Sequence, residues 1–188
     1  MDQAEALILD AAIEVLAVGG MPSLTHSEVD ARAGVAEGST AERYPTRDDL
    51  LGAVLHRILD RETAVWARLT PAPGESTIDG FADRMGRLIH TLAGPERSVT
   101  KARHAVFAQL GSVPGLRAEL DSSSSRVTEW LGPLLVELGS RRPEADLDRL
   151  LVFIDGLLAA QVDAPAAEGP PAPAIAGLLH GLIDRQLL

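Results

Sequence analysis

Residues 24–51, LTHSEVDARAGVAEGSTAERYPTRDDLL, narrow the possible folds most, because helix start and stop signals recur in them at short range. Thr25 and Glu28 stand in the T-x-x-E spacing of a capping box, in which the Thr hydroxyl takes one orphan amide and the Glu carboxylate another. Leu24 and Val29 occupy the positions of a hydrophobic staple at the same helix start. A short helix then ends at Gly34, the residue type that tolerates the left-handed turn. Val35 reads as a buried plug, and a polar segment from Glu37 to Tyr44 precedes the break at Pro45. Two short helices joined by a Gly-containing turn form a unit that can lay its second helix in the DNA major groove. A small helical hairpin of no particular function shares that spacing.

The flanks supply two more helices. Upstream, Leu9, Ala12, Ile13 and Leu16 repeat at helical spacing, Ile8, Ala11 and Val15 widen the stripe, and Gly19-Gly20 stops it. Downstream, Thr46 caps a long helix whose first turn holds Asp48 and Asp49, favourable against the helix dipole. Leu50, Leu51, Val54, Leu55, Ile58 and Leu59 give that helix its apolar face.

The arrangement ILDAAIEVLAVGG…LTHSEVDARAGVAEGST…YPTRDDLL resembles the DNA-binding domain of the TetR family of transcriptional regulators, closely over residues from about 5 to 60. The resemblance implies an all-α chain with a helix-turn-helix domain over 1–61 and a helical effector-binding and dimerisation domain over 62–188. It makes 37–44 the recognition helix. Gly38, Ser39 and Thr40 then meet phosphates and base edges at its start, and Arg43 is its one donor able to grip guanine in two places. Thr25 and His26 match backbone-contacting positions, Arg47 matches a phosphate clamp, and Tyr44 sits beside them, with a core role as its plainer reading. Two departures stand out. Family members usually carry aromatic residues where this chain has Ala41-Glu42-Arg43, and Asp30 replaces a small residue. The Asp30 carboxylate needs a partner, for which Arg32, Arg43 and a turn amide all qualify.

Charge bears directly on this reading. The 188 residues carry a formal net charge of −10, whereas DNA affinity comes from basic groups that neutralise phosphates. Residues 1–50 set Asp2, Glu5, Asp10, Glu14, Glu28, Asp30, Glu37, Glu42, Asp48 and Asp49 against Arg32, Arg43 and Arg47 alone. The expectation is weak binding outside an operator and strong sensitivity to salt. A helical dimer that binds a small molecule or a protein, with a degenerate DNA-binding head, is the competing reading.

Beyond the Pro/Gly break at 70–76, Ser76 is a candidate cap for a helix with Phe81, Met85, Leu88, Ile89 and Leu92 on one face. Pro95 suits the first turn of the next helix, which holds Val99, Ala102, Val106, Phe107 and Leu110. A further helix runs from about 116 to Leu138, and Pro133 is expected to kink or divide it after Trp130. Trp66, Phe81, Met85, Phe107 and Trp130 are candidates to line an effector chamber, with His90, Arg103, His104 and Gln109 as polar anchors; packing in the core is the competing role for each.

In segment 146–161, Leu147, Leu150, Leu151, Ile154 and Leu158 recur at helical spacing. Residues 163–173, DAPAAEGPPAP, read as a loop, and a last helix carries Leu178, Leu179 and Leu182. These two helices are suited to pairing with their copies in a homodimer, as the resemblance also implies. No cysteine, metal-ligand spacing, cofactor fingerprint or catalytic signature is present. The N-terminus lacks the basic start of a signal peptide, and no apolar run reaches membrane-spanning length. The expected partners are therefore double-stranded operator DNA, an unknown small-molecule effector and a second copy of the chain, with no membrane and a cytoplasmic location.

Overall fold

A computed structural model describes residues 2–67, 77–108, 128–163 and 171–183, and among these the chain is helical with no strand. The helices are α1 (Gln3–Gly19), α2 (His26–Ala33), α3 (Ser39–Arg43), α4 (Arg47–Ala67), α5 (Ile78–Ala93), α6 (Arg97–Phe107), α7 (128–137), α8 (Pro143–Asp163) and α9 (Pro171–Ile183), with a 3₁₀ turn at Met21–Ser23. They form two compact units. The first holds Met1–Ala64 and takes in α6; the second holds Val65–Pro95 and the segments that bear α7, α8 and α9.

In the first unit α1 packs against α2 and α6. Its whole predicted stripe is buried, from Ile8 to Leu16, as are Leu50, Leu51, Val54, Leu55, Ile58 and Leu59 of α4. An ion-pair network lies over this core. Asp10 of α1 accepts from Arg57 at 3.0 Å and from Arg61 at 3.3 Å, and Arg61 reaches on to Glu96 just before α6. The Asp10 carboxylate pushes the Arg57 pKa further up. Arg103 of α6 pairs with Glu62 at 3.2 Å and lays its guanidinium 5.2 Å from the Phe107 ring centroid.

In the second unit α5 packs on α8 and α9, and these two pack on each other. Phe81, Met85, Leu88, Ile89 and Leu92 share one core with Leu131, Leu135, Leu147, Leu150, Ile154, Leu158, Ile175 and Leu179. α5 and α9 come close at Gly86, where a Cβ would lie 3.0 Å from the Ala172 Cβ and 3.3 Å from its amide nitrogen.

Several boundaries differ from expectation for local reasons. The α5 cap is Thr77, whose hydroxyl accepts the Gly80 amide at 3.1 Å; Ser76 lies outside the described residues. Pro95 falls in a turn, and α6 starts two residues later at Arg97. Pro133 does not end α7, which continues through it to residue 137. The expected helix from 116 to 127, Leu110 and Gln109 lie outside the described residues. The end of the expected loop, Pro171-Ala172-Pro173, is instead the first turn of α9, where proline is tolerated because first-turn amides need no helical partner.

Candidate nucleic-acid interface

The two motif helices are set by their ends. Thr25 is the N-cap of α2, and its hydroxyl accepts the Glu28 amide at 3.2 Å. Only this half of the expected capping box forms, because the Thr25 amide is already donated to the Ser23 carbonyl at 2.9 Å. Leu24 and Val29 are fully buried, as a staple requires. Gly34 closes α2 in the left-handed region at φ 67°. Val35 is half-buried rather than a fully buried plug.

Helix α3 has five residues and no cap from its own N-cap residue, Gly38, which sits at φ 92°. The missing cap comes from Asp30 on α2. Its carboxylate is 3% exposed and accepts the Gly38 amide at 2.7 Å, the Thr40 amide at 2.9 Å and the Thr40 hydroxyl at 2.5 Å. Burial alone raises the Asp30 pKa, but these hydrogen bonds outweigh it and hold the carboxyl below its usual range. Of the three partners expected for Asp30, the turn amide is therefore the one used.

The other end of α3 is held by α1. Asp2 and Glu5 form a complete reciprocal capping box, with Glu5 N–H on Asp2 Oδ1 at 2.7 Å and Asp2 N–H on Glu5 Oε2 at 3.2 Å. Their remaining oxygens take side chains at the end of α3. Asp2 Oδ2 pairs with Arg43 at 3.0 Å, and Glu5 Oε1 accepts from the Tyr44 hydroxyl at 3.3 Å. The Glu5 amide, with Arg43 behind it, lowers the Asp2 pKa; burial and the Glu5 charge raise that of Tyr44. The D-x-x-E spacing at the start of α1 was the signal for this box.

The remaining predicted contact residues take distinct places. His26 is half-buried, with Nε2 2.7 Å from the Tyr44 carbonyl. Ser39 donates to the Ala36 carbonyl at 2.6 Å. Thr40 is fully buried, so its hydroxyl serves Asp30 and is not presented on the surface. Arg47 remains exposed overall, yet its guanidinium donates to the carbonyls of Leu24, at 3.1 Å, and Met21, fastening α4 to the entry of α2. The outward face of α3 is Ala41, Glu42 and Arg43. Six of the ten acids are engaged within the unit: Asp2, Glu5, Asp10, Glu14, Asp30 and Asp49. Glu28, Glu37, Glu42 and Asp48 stay exposed.

A profile of "Bacterial regulatory proteins, tetR family" matches residues 8–54, and one of "Tetracyclin repressor-like, C-terminal domain" matches residues 76–185. The chain belongs to the TetR family. Among solved structures, this TetR-family regulator is similar to a transcriptional regulator from Rhodococcus sp. Rha1, at 19% identity and TM-score 0.79 over 96% of both chains. A TetR-family member from Streptomyces coelicolor A3 matches at 24% identity and TM-score 0.74, over 97% of this chain and 99% of that one. The multidrug binding protein EbrR, complexed with ethidium, matches at 23% identity and TM-score 0.67, over 96% and 98%. No curated protein matches the sequence.

The C-terminal candidates separate by unit. Phe81 and Met85 are each 1% exposed and belong to the core of the second unit. Trp66 and Trp130 pack against that core half-buried, edge to face with ring centroids 5.8 Å apart. His104 and Phe107 stand on α6, in the first unit. Of the predicted dimer residues, Leu147, Leu150, Ile154, Leu158 and Leu179 are buried within the protomer. Leu151, Leu178 and Leu182 are half-buried. Beside them Val152 is 75% exposed, and Gly156, Gly177 and Gly181 face open space. Among the described residues no helix is long and apolar enough to cross a membrane.

Proposed function

We propose that this TetR-family regulator binds operator DNA as a homodimer and represses transcription until a small-molecule effector enters its second unit. The observation that supports it most is the build of α3, capped by a buried carboxylate and turning Arg43 outward. Two such helices about one DNA turn apart (roughly 34–36 Å) would read a partly palindromic site. The pairing face we propose is the outer side of α8 and α9, where Leu151, Val152, Leu178 and Leu182 lie among glycines that let backbones approach closely. In this reading Trp66 and Trp130 form the ligand-facing wall, and Phe81 and Met85 support it from the core. EbrR, similar in fold, is described with ethidium bound, which suits an aromatic-walled site. Effector binding and DNA release are linked only through differential affinity for two states, with a coupling of about 1–3 kcal/mol. The protein would then work in the cytoplasm, beside its DNA.

Footprinting of the intergenic DNA beside the gene, with and without candidate ligands, tests this. A symmetric protected site that a ligand abolishes supports it; no protection at low salt overturns it. One observation favours a second reading, a ligand- or protein-binding dimer with a silent head. Arg43, the one basic residue of α3, is already paired with an acid, and four more acids lie exposed nearby.

A further inference from the structure

Each acid of the α1 capping box uses one oxygen for the cap and the other for a side chain at the end of α3. A carboxylate on Arg43 and another on the Tyr44 hydroxyl stand where phosphate oxygens would accept from the same groups. The Arg43–Asp2 pair is open to water, with side-chain exposures of 38% and 59%, so it is weak and can be displaced. A lone phosphate contact is of similar strength, because it too is an exposed ion pair. A bidentate contact to a guanine edge is stronger. Displacing Asp2 is thus repaid on the right base and not on an arbitrary backbone.

Resting on the reading that α3 enters the major groove, we infer that Asp2 and Glu5 are specificity-determining residues: they occupy Arg43 and Tyr44 as internal phosphate substitutes and suppress binding to arbitrary DNA. They act through the residues they hold and touch no base themselves. The acidic start of α1 then raises the contrast between operator and bulk DNA at the expense of absolute affinity.

Asp2→Asn and Glu5→Gln test this in the full chain, because Asn is a good N-cap and Gln keeps the second arm of the box. Two fluorescent probes are needed: a random-sequence duplex, and the duplex the wild-type chain enriches from a randomised library. Freeing one phosphate contact should steepen the salt dependence on the random duplex by about 0.9 in log K against log salt. Asp2→Asn should therefore bind it up to about 5-fold tighter at 50 mM salt and about 1.5-fold tighter at 200 mM. The enriched duplex should gain less, so the ratio of the two affinities falls. Asp48→Asn, which removes an exposed acid with no ion pair shown among the described residues, reports the effect of net charge alone. In an Arg43→Gln background the excess of Asp2→Asn over that control should vanish. The proposal is overturned if Asp2→Asn matches Asp48→Asn, or if its excess survives the loss of Arg43. If the wild-type chain enriches no duplex and binds neither probe, the DNA-binding reading itself fails.

Discussion

Replacing Asp30 by alanine tests whether a buried carboxylate on α2 caps α3. The substitution leaves three donors without an acceptor: the amides of Gly38 and Thr40 and the Thr40 hydroxyl. Gly38 is half-buried and can turn to water, whereas Thr40 is fully buried. Each buried donor left unsatisfied costs about 1–3 kcal/mol. With partial relaxation of the Thr40 hydroxyl, the expected loss is about 2–4 kcal/mol. For a chain of this size that corresponds to a fall of roughly 4–16 °C in the melting midpoint. Asp30→Asn keeps one oxygen for Thr40 but sets an amide donor against Gly38 N–H, so about half that loss is expected. Urea unfolding followed by circular dichroism measures both. The pH dependence adds a sign. The folded Asp30 carboxyl titrates below its usual range, so its contribution is fully present above the unfolded value near 3.9 and is lost as pH falls through the folded one. The gap between wild type and Asp30→Asn should hold from about pH 8 to 5 and narrow below about pH 4. An alanine variant within about 0.5 kcal/mol of wild type at pH 7 would refute the cap, since surface substitutions fall in that range.

Arg47→Met removes both guanidinium bonds to the carbonyls of Leu24 and Met21, and should cost about 1–2 kcal/mol in urea unfolding whether or not DNA is present. Val152→Arg places a charge on an exposed apolar position of α8, on the proposed pairing face; on that proposal, sedimentation should show self-association weakened at least about 10-fold with helicity unchanged. Phe81→Ala, at 1% exposure, should lower stability by about 3–5 kcal/mol. Trp130→Ala, half-buried, should cost less and weaken effector binding in a calorimetric titration.

What the amino-acid string made legible was local chemistry. The Thr25 cap, the Gly34 stop and the apolar stripe of α1 depend on neighbours within a few residues, and they stand where the spacing put them. Periodicity says that a leucine is covered but not by what. Leu147, Leu150 and Leu179 carry the same pattern as Leu151 and Leu182, yet the first three are covered inside the protomer. Long-range partners were invisible for a different reason. Asp30 reaches Thr40 ten residues on, and Glu5 reaches Tyr44 thirty-nine residues on, and no short window contains either pair. His104 and Phe107 suited a ligand chamber by residue type, but α6 contributes them to the first unit. There α6 packs on α1, and the Glu62–Arg103 and Arg61–Glu96 pairs tie it to α4, again across a large gap in sequence.

The contact at Gly86 has a mechanical consequence. Because residue 86 has no Cβ, α5 and α9 come close there: a Cβ at that position would lie 3.0 Å from the Ala172 Cβ and 3.3 Å from its amide nitrogen. A molecule that displaced α5 would have to carry α9 with it or open this contact. A side chain gained at position 86 would press on the Ala172 methyl and on the backbone behind it, so the close packing asks for glycine at 86.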